Sequence, residues 1–393
     1  MPNRMSLNTT ARQHNLKLLL DILESPPTLD QSFVFEGEAL SEEFKNAIGL
    51  LVKAAEWQEP PADMDDAANR IFTRDKDKRG EVGHMLSHLD AVKRNNPQNE
   101  NFGKLYKQFR KNAESVVLIL AEPDDWDLPS FEGKAEIIIP SRECRELVDF
   151  GVYGPEFEGI MLCPEEFYSS DHIPNADIFG SGCFVSPDRV ATAAHVLEAA
   201  EELGTDPQKL IFIRRHYDYG NNLRVKVSTN QIYRLSRKQK KILEDSRAVY
   251  GQKGDSAWVE VEPYFKNTPE PYPEVHCDIS TTPLQRGQRL YALGHGLAVP
   301  MKLSFDVEVG EIIGPYWFHS DMHVFPGNSG SPIFDANSQQ LVGIVNGIHA
   351  LNVKKTRTNC IKLDINLRGK LSILSSQITP LDQNLQNLRI FGI

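Results

Sequence analysis

The densest concentration of chemistry-bearing residues is Gly327-Asn328-Ser329-Gly330-Ser331-Pro332, preceded by Phe325-Pro326 and followed by the apolar Ile333-Phe334. Small residues on both sides of a serine let the backbone fold tightly and aim several N–H groups into one small volume, which is what stabilising an oxyanion requires. Gly, Asn, Ser and Pro also suit an ordinary surface turn, so this segment alone leaves nucleophile and turn both open. A second segment narrows the choice. Gly180-Ser181-Gly182-Cys183-Phe184-Val185-Ser186-Pro187-Asp188-Arg189-Val190-Ala191-Thr192-Ala193-Ala194-His195 reads as strand, turn at Pro187-Asp188, strand, then a short run of small residues ending in histidine. A general base must carry its imidazole at a fixed place beside a serine hydroxyl, and Ala193 and Ala194 permit the close packing this needs.

Taken together, Thr192-Ala193-Ala194-His195 and Gly327-Asn328-Ser329-Gly330-Ser331-Pro332 resemble the motifs of the trypsin-like serine proteases. The Asn328 form of the serine motif is most similar to the bacterial branch of glutamyl-endopeptidase-like and stress-protease-like enzymes. The resemblance covers roughly Gly159 to Leu374. It implies an all-β double barrel of the chymotrypsin-like kind, an active site in the cleft between barrels, and peptide-bond hydrolysis through an acyl-enzyme. In the family's order the third member of the triad is a carboxylate between His195 and Ser329, which orients the imidazole and stabilises it once protonated. Asp255 is the first choice, because it follows Gly254 and opens the alternating run Ala257-Trp258-Val259-Glu260-Val261, similar to the family's aspartate-x-alanine strand; Asp278 and Asp245 are the alternatives.

The same resemblance puts the oxyanion hole at the backbone N–H groups of Gly327 and Ser329. Asn328 stands where the trypsin branch has the aspartate that receives a new N-terminus, so activation through that salt bridge is not expected. Val196 follows His195 where many secreted relatives have a disulfide cysteine, which leaves Cys183 without that partner. The primary pocket is expected to have His323 at its floor, Val324 beside it, and Val345, Asn346 and Gly347 as a wall. No aspartate lies there to pair with a basic side chain, which disfavours cleavage after Arg or Lys. Glutamate-specific relatives use a wall histidine where this chain has Val345, so that preference does not carry over either. No metal or organic cofactor is called for.

Elements must position these groups, and two textures are visible. Up to about residue 115 the apolar residues repeat at helical spacing: Leu16, Leu19, Leu20, Leu23; then Phe44, Ala47, Ile48, Leu51, Val52, Ala55 after Ser41 as N-cap; then Ala68, Ile71, Phe72; Val82, Met85, Leu86, Leu89, Val92; and Phe102, Leu105, Tyr106, Phe109. From about Gly159 the apolar runs are short, β-branched and punctuated by Gly, Pro and Asn, as at Ser181–Val185, Leu210–Ile213, Ala257–Val261, Gln288–Leu293, Val307–Ile313 and Leu341–Val345. Val116–Leu120 suits either the end of a helix or the start of a strand. The expected organisation is multidomain: an α-helical bundle over 1–121 serving recognition or regulation, a linker over 122–158, and the protease domain over 159–393.

Composition bounds the function classes. The chain has 393 residues, 40% hydrophobic and 25% charged, and a net charge of −11, an ordinary globular composition with an acidic surface that repels phosphate backbones and anionic lipid. Nucleic acid is not expected as a partner, and no apolar run approaches the roughly 20 residues of a membrane span. Leu16–Leu23 is broken by Lys17 and Asp21 and lacks a small-residue cleavage site. The odd, scattered set Cys144, Cys163, Cys183, Cys277 and Cys360 indicates neither a disulfide framework nor a zinc site, which fits a reducing, cytoplasmic location. The basic stretch Arg234–Lys241 reads as a solvated face, and His276-Cys277-Asp278, placed on a strand, cannot converge on one metal ion.

The functional expectation is a serine endopeptidase acting on protein or peptide substrates. Its helical domain would bind a regulatory protein partner, and its vague likeness to the small adaptors fused to bacterial proteases points to a bacterial defence pathway. The alternative is a catalytically idle protease fold that holds peptide in its cleft.

Overall fold

The computed structural model describes residues 82, 86, 100–122, 126, 128–144, 159–163, 172–202, 205–206, 209–215, 225–236, 255–268, 274–313, 317–320, 322, 324–348, 353–363 and 373–377. The chain divides into two compact units, Met1–Arg110 and Lys111–Ile393. In the first, Val82 and Leu86 are helical and buried, and helix α1 (Glu100–Ser115) begins, with Tyr106 and Phe109 buried while Lys104 and Lys107 are exposed. This is the amphipathic spacing expected for that stripe. The stripes expected at 16–23, 44–55 and 68–72 lie outside the described residues.

The second unit holds two closed antiparallel barrels of six strands each. In chain order the strands of its first half are β1 (Val116–Ala121), β2 (Glu136–Ile139), β3 (Ser141–Glu143), β4 (His172–Pro174), β5 (Ile178–Ser186), β6 (Arg189–Thr192), β7 (Leu210–Arg214), β8 (Val225–Ser228), β9 (Ile232–Leu235) and β10 (Ala257–Pro263), with helix α2 (Ala194–Glu202) after β6. The first barrel runs β1-β5-β6-β10-β9-β7. The second half contributes β11 (Arg289–Gly294), β12 (Lys302–Ile313), β13 (Trp317–Ser320), β14 (Pro332–Asp335), β15 (Leu341–Ile348), β16 (Val353–Lys355), β17 (Ile361–Leu363) and β18 (Ile373–Gln377), and the second barrel runs β11-β12-β13-β18-β15-β14. Each of the six apolar runs read as strands is a strand or lies in one, give or take a residue at its ends.

The domain boundary is corrected. Val116–Leu120 begins a strand, so the first barrel starts inside the segment assigned above to the helical domain, and β2 and β3 lie inside the segment assigned to the linker. The physical reason is that β1 sits between β5 and β7 with every residue buried, so both of its faces are apolar and no alternation marks it as a strand. On one face, Leu118 and Leu120 stand opposite Ile213 and Ile211 and join an apolar cluster with Ile137, Leu162, Leu297 and Ile361.

The end of α1 is tied into the barrels by polar contacts. Lys111 pairs with Asp278 at 2.8 Å. Buried Asn112 donates to the Tyr291 hydroxyl at 2.8 Å and to the Gln339 carbonyl at 2.7 Å. Arg214, buried with its guanidinium 4.4 Å from the Phe184 ring centroid, donates to the Glu114 carbonyl at 3.0 Å, one of the carbonyls a helix end leaves without an intrahelical partner. Burial pushes the Tyr291 phenol well above its usual range, so it stays neutral and available to accept from Asn112. Replacing Asn112 with alanine withdraws a donor from two buried acceptors and is expected to cost about 2–3 kcal/mol. Urea unfolding should show a lower midpoint at unchanged slope; an unmoved midpoint would mean that this junction does not hold α1 in place.

The expectation of unpaired cysteines is also corrected. Cys163 and Cys360 form a disulfide across a sequence separation of 197 residues, while Cys144, Cys183 and Cys277 are free and buried. The pairing depends on a parallel bridge between Leu162 and Ile361, in which Cys163 N–H donates to the Ile361 carbonyl and Ile361 N–H to the Met161 carbonyl, both at 2.9 Å. Nothing local in either segment announces a contact of that range.

Candidate active site

His195 lies in the first turn of α2, directly after β6. Asp255, two residues before β10, reaches it twice: Oδ1 accepts from the His195 main-chain N–H at 2.9 Å, and Oδ2 bonds ring Nδ1. The Asp255 carbonyl also accepts from Ala194 N–H at 3.4 Å. One carboxylate therefore fixes both the backbone and the ring of the histidine. With Nδ1–H given to Asp255, Nε2 keeps its lone pair and is the basic nitrogen. The His195 side chain is 40% exposed and Asp255 22%, so the ring can meet a substrate while its orienting partner is more enclosed. Of the alternatives, Asp278 is engaged by Lys111 and Asp245 lies outside the described residues.

Ser329 sits in the loop between β13 and β14. Gly327 and Gly330 flank it with φ of +92° and +83°, in the left-handed region that L side chains rarely enter. The peptide between Pro326 and Gly327 has its carbonyl held by Leu297 N–H at 2.6 Å, and the peptide between Asn328 and Ser329 has its carbonyl held by Ser331 N–H at 2.8 Å. No cis peptide occurs among the described residues, and in a trans peptide N–H and C=O point in opposite directions. Fixing these two carbonyls therefore turns the Gly327 and Ser329 N–H groups away from their loop partners, as donors to an oxyanion must be.

The two barrels meet at this loop. Gly330 N–H donates to the Val345 carbonyl at 2.7 Å, Ser181 N–H on β5 donates to the Ser329 carbonyl at 2.7 Å, and the Ser329 hydroxyl donates to the Asn346 carbonyl at 3.4 Å. Asn346 in turn gives its side-chain amide to the Asp255 carbonyl. It thus links the strand beside Ser329 to the residue that holds His195.

The expected pocket residues separate on inspection. Val324 and Val345 are buried in the apolar core of the second barrel, and the Asn346 side chain is turned to Asp255. Gly347 has nothing within 4 Å of the position a Cβ would occupy, so it borders open space. His323 lies outside the described residues. Along the expected wall, Val345 is a core valine, Asn346 an inter-barrel amide and Gly347 an open glycine.

Sequence reasoning missed Ser181, the bridging role of Asn346, and the turn 295–299 on which the serine loop rests. In that turn Leu297 and Ala298 both have φ of +56°, strain of order 1–3 kcal/mol per residue, held by burial and by the Leu297–Pro326 bond. Gly294 and Gly296 around His295 were its faint signal.

His276-Cys277-Asp278 is corrected from strand to irregular chain. Cys277 Sγ lies 2.7 Å from the Ser115 hydroxyl and Asp278 pairs with Lys111, both partners on α1. Among the described residues no group of His, Cys, Asp and Glu converges as metal ligands would, and no helix is long and apolar enough to cross a membrane. Arg234, from the basic stretch, lies in β9 and pairs with Glu262 at 3.0 Å; 237–241 lie outside the described residues.

Two six-stranded barrels with a histidine, an aspartate and a serine at their junction are the architecture of a trypsin-like protease. Residues 180–344, which include His195, Asp255 and Ser329, match the family model of the trypsin-like peptidase domain. Similar solved structures include an HtrA-type protease, AlgW, with a decapeptide (14% identity, 73% of this chain and 67% of that one, TM-score 0.37). Another is the Rv3671c protease of M. tuberculosis in its active form (15% identity, 72% and 84%, TM-score 0.35). A search of curated proteins found no match.

Proposed function

We propose that the chain is a serine endopeptidase in which Ser329 is the nucleophile, His195 the general base and then general acid, and Asp255 the group that orients His195. The observation that carries this reading is the double grip of Asp255 on His195, joined to Ser329 through Asn346, whose carbonyl accepts from the Ser329 hydroxyl and whose amide donates to the Asp255 carbonyl. Ser329 Oγ attacks the substrate carbonyl as its proton passes to His195 Nε2. The Gly327 and Ser329 N–H groups hold the resulting oxyanion. Collapse expels the amine, which takes the proton from His195, and leaves an acyl-Ser329 ester; water, deprotonated by the same nitrogen, then frees the acid and restores the hydroxyl.

Polypeptide is the substrate class that this peptidase domain supports. Recruitment or restraint of the protease by a protein partner, in a bacterial defence pathway, is the role we assign to the first 110 residues.

Full-length protein treated with a fluorophosphonate probe is expected to gain one probe mass on Ser329, read by intact mass and peptide mapping, and Ser329→Ala is expected to gain none. Absence of labelling in the folded wild-type protein, with or without added peptide, would replace this reading with the idle, peptide-holding fold.

A further inference from the structure

Ser181 is fully buried on β5 of the first barrel, yet its contacts lie under the serine loop of the second. Its hydroxyl donates to the Gly327 carbonyl at 2.8 Å and accepts from the His295 N–H at 3.1 Å, while its main-chain N–H donates to the Ser329 carbonyl at 2.7 Å. Its own carbonyl is held by the Thr192 hydroxyl at 2.7 Å, three residues before the catalytic histidine. One side chain thus joins the strand pair leading to His195, the loop carrying Ser329, and the turn at His295.

We propose that Ser181 is a positioning residue for the oxyanion amides, a role that rests on the serine-endopeptidase reading of the site. The argument is one of backbone freedom. Gly327 occupies φ +92° without a side chain to hold it there, so its peptides are free to rotate unless their carbonyls are pinned. The Ser181 hydroxyl pins the carbonyl of Gly327 itself. By holding His295 N–H it also anchors the turn whose Leu297 N–H pins the carbonyl of Pro326, the partner in the same peptide as the Gly327 N–H. Removing the hydroxyl takes a contact from the Gly327 carbonyl and from the His295 N–H, so the turn at His295 shifts, and the Leu297 N–H that holds the Pro326 carbonyl shifts with it. The Pro326–Gly327 peptide is then no longer held, and the Gly327 N–H that should meet the oxyanion turns with it. The loss therefore falls on transition-state stabilisation, and the triad contacts of Asp255, His195 and Asn346, which do not involve this hydroxyl, stay in place.

The test uses the full chain and a fluorophosphonate probe, whose phosphoryl oxygen develops charge at the same two amides. Ser181→Ala is expected to label on the order of 10- to 100-fold more slowly than wild type, with the midpoint of the labelling-rate pH profile unmoved because His195 and Asp255 are undisturbed. Ser181→Cys, nearly isosteric with a weak donor, is expected to fall between the two and provides the measurement if the alanine variant does not fold. Near-UV circular dichroism identifies which variants are folded. Wild-type labelling rates in the folded variants, or a pH midpoint that moves, would overturn the assignment. If wild-type protein does not label while folded, the endopeptidase reading itself falls, and this inference with it; a labelled wild type with unaffected variants removes this inference alone.

Discussion

Alanine at Ser329 or at His195 is expected to lower peptide hydrolysis on the order of 10⁴- to 10⁶-fold, and the double variant to lose little more than either single one. The near-absence of additivity is the informative part. Once the nucleophile is gone there is no hydroxyl proton for the base to take, and once the base is gone the hydroxyl is a poor nucleophile, so either change removes the same step. What remains in each case is the contribution of the oxyanion amides and of substrate positioning, which neither substitution touches. Hydrolysis of an unstructured protein such as casein, followed by release of new amines, measures all three variants on one scale. Neither residue is in the buried core, so unfolding midpoints should stay near wild type. Losses that multiply in the double variant would mean that the two residues do not act as a unit, and the triad assignment would be wrong.

Gly330→Ala is expected to be as damaging by a different route. A Cβ at Gly330 would lie 2.0 Å from the Ser181 carbonyl oxygen, 2.3 Å from the Thr192 hydroxyl and 3.0 Å from the Ala193 nitrogen, on a residue with φ of +83°. Two of these three atoms belong to backbone of the first barrel and cannot swing aside. The serine loop must instead retreat, breaking the Ser181–Ser329 hydrogen bond that joins the barrels and straining the Gly330–Val345 bond within the second. The combined strain and lost contact should cost about 3 kcal/mol or more, and a displacement of about 1 Å at Ser329 should lower the labelling rate about 100-fold or more. Gly287→Ala is the matched control: its φ is +78° but no atom lies within 4 Å, so it carries only the backbone strain and no effect at Ser329. Equal behaviour of the two variants would show that the close approach at Gly330 is not what positions the loop.

The three residues proposed as the triad stand out in the sequence because each lies in a short segment whose residue types are dictated locally. Small residues around Ser329 and before His195, and a carboxylate opening an alternating strand at Asp255, are requirements of backbone geometry within a few positions. Strands with one apolar face or a β-branched run were legible for the same reason. β1 was not, since Val116–Ala121 is covered on both faces and an uninterrupted apolar run has no period to read. The directions of the Val345 and Asn346 side chains were not legible, because they are neighbours on one strand where alternation sends one into the barrel core and the other towards Asp255; which faces which depends on the register of β15 against its neighbours.

The order of histidine, aspartate and serine, the glycines that let the serine turn form, and the β character of the chain from Gly159 onward all follow from local chemistry, and they were enough to point to a trypsin-like peptidase domain. The Cys163–Cys360 bond, the anchoring of α1 through Asn112, and the hold of Ser181 on Gly327 join residues 197, 227 and 146 positions apart. Such contacts exist only because two closed barrels bring distant segments together, and hydrogen bonds and disulfides form wherever geometry permits, without a sequence pattern that announces them.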